Sequence, residues 1–133
     1  MHALDLEALL APTITFFGMR DGKGTLLAVG ALRELGGDHG EVKSMHTIAE
    51  ARGRGIGRAM LDHLLALARD RGYRRVSLET GTMAAFEPAR RLYARAGFKK
   101  CQPFADYFVS PNSVCMTLEL FDAAPQDSKG KAE

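Results

Sequence analysis

The hydrophobic period of this chain switches from strand to helix at Ile56, and that switch limits the folds open to it. Before it, residues 13–19 are β-branched and aromatic, which predicts a strand. Residues 25–32 are almost continuously apolar, as in a strand buried on both faces. Turns at Asp21-Gly22-Lys23-Gly24 and Gly36-Gly37-Asp38-His39-Gly40 then make residues 13–19, 25–33 and 41–48 an antiparallel meander. After it, Ile56, Met60, Leu61, Leu64, Leu65 and Ala68 recur at helical spacing up to Gly72. Residues 74–80 read as a strand with Val76 and Leu78 inside. Phe86, Ala89, Leu92, Tyr93 and Ala96 mark a second helix face, ended by Gly97. Residues 98–101 and 113–120 are the last strands. At the front, Leu4, Leu6, Leu9 and Leu10 predict a short helix that stops at Pro12. The expected order from residue 13 is β-β-β-α-β-α-β-β, an α/β (α+β) fold with a mixed sheet. Residues 1–121 form one domain in this reading, and the polar residues 122–133 are expected to be a disordered tail.

At 133 residues the chain can build one hydrophobic core without disulfides or a structural metal. A net charge of +2 is too small to argue for nucleic acid or an anionic membrane as partner, and neither is expected. Cys101 and Cys115 read as small buried hydrophobes rather than a disulfide framework. His2, His39, His46 and His63 are scattered, with no metal-binding spacing, so no metal is expected. Asp5 and Glu7 stand where a signal peptide would be basic, and no apolar run is long enough for a bilayer. The expected location is the cytoplasm.

Between the third strand and the first long helix lies Arg52-Gly53-Arg54-Gly55-Ile56-Gly57-Arg58. Glycines let a backbone turn sharply and approach a ligand. The helix that follows presents unpaired N–H groups and a partial positive charge. Together these features bind phosphate, and three arginines add charge-assisted bonds. A Walker loop is excluded because no lysine follows the glycines. A dinucleotide fingerprint is excluded because Arg58 stands at its third glycine and the loop follows a β-meander. A phosphate or pyrophosphate ligand is favoured over a plain connecting turn.

These residues resemble the GNAT superfamily of N-acetyltransferases. Its phosphate loop, Arg/Gln-x-x-Gly-x-Gly/Ala, is matched by Arg52-Gly53-Arg54-Gly55-Ile56-Gly57. A second block, Ala-x-x-x-Tyr-x-x-x-Gly-Phe, is matched by Ala89, Tyr93, Gly97 and Phe98. Glu41-Val42-Lys43-Ser44-Met45 and Leu78-Glu79-Thr80-Gly81 look like a bacterial, small-molecule branch of the superfamily. The resemblance implies an acyl-coenzyme A N-acyltransferase fold and acetyl-coenzyme A as cosubstrate. It also implies transfer of the acetyl group to an amine. Backbone groups of Met45, His46 and Thr47 would meet the pantetheine arm. Residues Arg52, Gly53, Arg54, Gly55, Ile56, Gly57 and Arg58 would hold the pyrophosphate, with Ala89 and Tyr93 beside the arm.

By the same resemblance Tyr93 is the acid that protonates the leaving thiolate. Its alternative is a core aromatic, since it also fits the apolar stripe. An amine must lose a proton before it attacks. Glu79 is the first candidate base, His46 the second, and Glu41 lies on the same strand as His46. The loop Pro103-Phe104-Ala105-Asp106-Tyr107 is either an acceptor wall or a packed connection.

Phe86 stands where many relatives carry an asparagine that helps bind the cosubstrate. Relatives also carry a strand and one or two helices before the element at residue 13. Here residues 4–10 read as the stub of one such helix. Residues 13–19 then become an apolar edge beside a bare apolar face, which predicts a homodimer. A non-catalytic acyl-coenzyme A sensor is the alternative function. The acceptor is expected to be a small molecule, but no residue pattern selects which.

Overall fold

The computed structural model describes residues 13–121 in full and residues 5–10 as backbone. Seven strands form one sheet: β1 (Asp5–Leu10), β2 (Ile14–Arg20), β3 (Leu26–Gly36), β4 (His39–Thr47), β5 (Arg75–Gly81), β6 (Lys99–Cys101) and β7 (Ser113–Glu119). Their order is β1-β2-β3-β4-β5-β7-β6. Helix α1 (Ile56–Asp70) crosses from β4 to β5, and α2 (Glu87–Arg95) lies between β5 and β6. The mixed fold expected from the hydrophobic periods is present, and its strands and helices fall within a few residues of their expected bounds.

The N-terminal expectation is corrected. Residues 5–10 are a strand, paired antiparallel with β2 from Asp5↔Arg20 to Leu10↔Thr15. Six residues are too few for a helix to stand on propensity alone. Pairing with β2 satisfies the backbone groups that a helix stub would leave open. β2 is therefore interior to the sheet, and the edge-strand argument for a homodimer loses its premise. Residues 122–133, expected as a tail, lie outside the described residues.

The core lies between the sheet and α1. Ile56, Met60, Leu61, Leu64, Leu65 and Ala68 are the buried stripe of α1, as their spacing predicts. They pack with Leu32, Val42, Val76 and Leu78 in one cluster. Each large side chain contributes about 1.5–3 kcal/mol by leaving water. A Cβ on Gly30 would lie 2.8 Å from Met60 Cγ, so the glycine lets α1 sit close to β3.

Both helices end in the same way. At the end of α1, Gly72 adopts φ 80°, and at the end of α2, Gly97 adopts φ 105°. The Tyr73 N–H donates to Ala68 O at 3.0 Å, and the Phe98 N–H donates to Tyr93 O at 3.0 Å. With Gly72 N–H to Arg69 O and Gly97 N–H to Ala94 O, these are Schellman ends. The Tyr-x-x-x-Gly-Phe spacing thus has a structural cause. Gly97 makes the turn, Phe98 ties back to the Tyr93 carbonyl, and the two rings meet edge-on at 5.9 Å.

The face of the sheet opposite α1 is polar over its second half, whereas β2 turns Ile14 and Phe16 to that side. In β4, β5 and β7 it presents Glu41, Lys43, Ser77, Glu79 and Thr117, alternating with inward Val42, Val76, Leu78 and Met116. Beside β2, where the bare apolar face is expected, Phe16 is 38% exposed. The segment between β6 and β7 lies across this face, with Phe104 against His39 (5.7 Å between centroids) and against Tyr107 (5.0 Å).

Candidate active site

The sheet splits in its middle. β4 and β5 are its parallel neighbours, and they pair only at His39↔Arg75, Gly40↔Val76 and Glu41↔Ser77. Three residues later Ser44 adopts φ 58°, a left-handed conformation that is uncommon outside glycine. The β3–β4 register shifts at the same place, between Val29 and Ala31. This bulge bends β4 away from β5 and changes which side chains face α1. Met45 now points towards α1: its Sδ would lie 3.1 Å from a Cβ on Gly30. Thr47 follows suit, with Oγ1 3.4 Å from a Cβ on Gly57.

The split opens a cleft of about 360 Å³. Lys43, Ser44 and Met45 line it from β4, and Glu79, Thr80 and Gly81 from β5. Phe86, Ala89 and Tyr93 close it from α2 and the turn before it. The structure thus brings Met45, Glu79, Ala89 and Tyr93 into the lining of one cleft. It does not bring in His46, which is exposed, pairs across from Val29 and lies outside the cleft lining.

Tyr93 is 6% exposed. Burial pushes its hydroxyl up to about 12, because a phenolate there would be poorly solvated. It stays a neutral O–H donor throughout the working pH range. Glu79 is only half-buried, so its carboxylate keeps contact with water.

Glu41 has a different role from Glu79. It is 1% exposed and accepts a hydrogen bond from Tyr107 Oη at 2.5 Å. Arg33 Nη1 lies 3.3 Å from its other oxygen. Lys43 Nζ lies 3.6 Å from the oxygen that Tyr107 holds. A buried carboxylate held by three partners is not placed to take a proton from an incoming amine. Tyr107 is therefore a packed anchor of its loop, whereas the neighbouring Phe108 is 81% exposed.

The glycine loop leads into α1 past the end of β4, and none of its residues lines the cleft. Gly53 and Gly55 adopt φ 76° and 78°, which only glycine takes at little cost. Gly55 is the N-cap, no side chain caps this end, and the first turn holds no acidic residue. The first N–H groups of the helix therefore face outward without a side-chain acceptor. The arginines divide their work. Arg52 Nε donates to Thr47 O at 3.0 Å and ties the loop to β4. Arg58 Nε pairs with Asp62 Oδ1 at 2.9 Å along the exposed helix face. Arg54 is exposed and has no hydrogen bond or ion pair among the described residues.

Phe86 takes the place of the expected asparagine. It is 41% exposed, and its ring lies so close to Gly81 that a Cβ there would collide with it. Arg90 Nη1 holds this turn by donating to Gly81 O at 2.6 Å and to Met83 O at 3.0 Å. Sequence reasoning missed Lys43, Met83 and Asn112 as further lining. Lys43 lies inside a quoted motif but carries no periodic signal of its own.

The chain belongs to the acetyltransferase (GNAT) family, whose model matches residues 2–98 and so includes both sequence blocks. It is 52% identical over 120 residues to the uncharacterized N-acetyltransferase YsnE of Bacillus subtilis, covering 90% of this chain and 79% of that protein. An acyl-CoA N-acyltransferase structure from Klebsiella pneumoniae superposes with a TM-score of 0.78 at 33% identity, over 84% of this chain and 77% of that one. The PaiA N-acetyltransferase of Thermoplasma acidophilum, in complex with coenzyme A, shares the fold at TM-score 0.68 and 17% identity, over 80% of this chain and 61% of that one. Among the described residues no helix is long and apolar enough to cross a membrane, and no cluster of His, Cys, Asp and Glu could hold a metal ion.

Proposed function

We propose that this protein moves the acetyl group of acetyl-coenzyme A onto an amine of a small molecule by direct attack in the β4–β5 cleft. The carrying observation is the pairing of residues there. A buried neutral tyrosine and a half-solvated carboxylate line one cleft at the point where two parallel strands part.

The residues present suit the cosubstrate. β4 beyond Glu41 has no β5 partner, so the backbone groups of Val42 to Met45 that face away from β3 are open to a pantetheine arm. An N–H group in this stretch would stabilise the oxyanion of the tetrahedral intermediate. The uncapped start of α1, the glycines and Arg54 suit the pyrophosphate. Arg52 and Arg58 support that loop, one from β4 and one along α1. The thioester supplies an activated acyl group, and the protein has to orient it and manage protons. Glu79, directly or through water, takes the proton that an ammonium must lose before its nitrogen attacks. As the carbon–sulfur bond breaks, the Tyr93 hydroxyl donates to the sulfur, giving a free thiol. The proton released by the acylated nitrogen restores the tyrosine. His46 has no place in this scheme. Location in the cytoplasm fits a cosubstrate made there.

The test is thiol release from acetyl-coenzyme A with a panel of small amines, beside calorimetric titration with coenzyme A. Amine-dependent release supports the scheme. Tight coenzyme A binding without release for any amine would support a sensor instead.

A further inference from the structure

The cluster behind the cleft sets two cations around one buried carboxylate. Glu41 is a single, fully buried carboxylate. Two cations share it, Arg33 and Lys43, whose side chains are 31% and 32% exposed. Arg33 is the hydrogen-bonded partner, at 3.3 Å. Lys43 stands at 3.6 Å from the carboxylate, beyond a good hydrogen bond, and donates to Tyr107 Oη at 3.2 Å. Its ammonium also lies 5.8 Å from the centre of the Tyr107 ring, within cation–π reach. An ammonium has three N–H donors. Among the described residues only the bond to Tyr107 uses one. Lys43 therefore reaches the cleft wall held in position, with its charge only partly offset and donors to spare. Across the same cleft stands the Glu79 carboxylate.

A cleft with a carboxylate on one strand and a fixed ammonium on the other suits a ligand of complementary, two-ended charge. Resting on the transfer reading above, we propose that the acceptor bears an anionic oxygen group near its amine, a carboxylate or a phosphonate, and that Lys43 binds this group while Glu79 receives the ammonium. Arg33, Glu41 and Tyr107 are positioning residues in this scheme. Arg33 satisfies the buried carboxylate, which leaves the lysine charge for the ligand. Tyr107 and Glu41 fix where the ammonium stands. The bonds formed are charge-assisted, the stronger class of hydrogen bond. A neutral isostere leaves the same ammonium desolvated without a partner, so it is disfavoured as well as less attracted.

The test compares amino acids and aminoalkylphosphonates with their neutral amides or esters in the thiol-release assay. Acidic acceptors are expected to exceed their neutral counterparts by about tenfold or more in kcat/KM, mostly through KM. Which of the two acids is preferred identifies the anion. Lys43→Met should collapse the ratio of acidic to neutral acceptor towards one, and Lys43→Arg should keep much of it. Circular dichroism checks that both variants fold. Neutral amines used as well as acidic ones by the wild-type protein would overturn the inference and leave acetyl transfer standing. So would a ratio that survives in folded Lys43→Met. No turnover of any amine by protein that binds coenzyme A would remove the transfer reading and this inference together.

Discussion

Replacing Tyr93 by phenylalanine removes one oxygen from a ring that the fold holds from several sides. The ring is 6% exposed and packs against Phe98 at 5.9 Å. The Tyr93 carbonyl, untouched by the change, keeps its bond to the Phe98 N–H. Among the described residues the hydroxyl makes no hydrogen bond, so phenylalanine leaves no buried group unpaired. Stability should stay within about 1 kcal/mol of wild type, a few degrees in Tm for a chain of this size. Catalysis should suffer far more. Loss of a positioned acid costs about 10²-fold or more, close to 2.7 kcal/mol in the barrier. The loss should fall on kcat, with coenzyme A affinity little altered, because the hydroxyl acts on a sulfur that becomes charged only as the bond breaks. The pH profile adds a second signature. Burial holds the hydroxyl up at about 12, so wild-type turnover should show no fall from tyrosine ionisation at or below pH 10. Thiol-release kinetics from pH 6 to 10 and calorimetric titration measure both effects. A Tyr93→Phe protein with wild-type kcat would reduce Tyr93 to a core aromatic.

Two other outcomes follow from neighbouring features. Arg54→Ala should weaken coenzyme A by about tenfold or more, the worth of a hydrogen bond to a charged group, while Gly55→Ala should both weaken binding and lower stability because φ is 78° there. Calorimetry and thermal melts separate the two effects, and unchanged affinity in both folded variants would refute the pyrophosphate assignment. His63 packs edge-on against Phe17 at 4.4 Å, and its buried Nε2 has no hydrogen-bond partner among the described residues. Burial lowers its pKa below the ordinary 6.5, so the stability tied to its neutral form is complete above pH 6.5 and is lost as the pH falls from there through the folded value. His63→Leu should flatten, though not abolish, the fall in Tm between pH 7.5 and 5.5, since burial lowers the His39 pKa as well.

Much of this arrangement is legible in the residues themselves. The strands β2 to β5, both helices and the glycine loop follow from hydrophobic period and turn chemistry, which are local signals. The Ala89–Phe98 block is legible for a physical reason, since a Schellman end needs glycine at one place and rewards an apolar residue after it. β1 was misread because Leu4, Leu6, Leu9 and Leu10 satisfy a helical spacing loosely. The strict alternation of Leu4 and Leu6 with Asp5 and Glu7 fits a strand as well. Only pairing with β2 decides between them. The bulge at Ser44 leaves no mark, because serine rather than glycine carries the positive φ. The union of Glu41 with Tyr107 spans 66 positions, beyond the reach of any local pattern.

The three-pair seam between β4 and β5 also divides the folding problem. On one side, β1 to β4 pair only with sequence neighbours through short turns, so closing their loops costs little entropy. On the other side, β5, β7 and β6 form a small antiparallel unit of their own. Joining the two units requires the long crossover through α1, and few ladder bonds reward it directly. The helix seats on β3 and β4, and its apolar stripe shares one buried cluster with Leu32 and Val42 on one side of the seam and Val76 and Leu78 on the other. That shared cluster works as a keel under a nearly parted deck. The cleft above it can stay open at rest because the stability of the domain is stored beneath it.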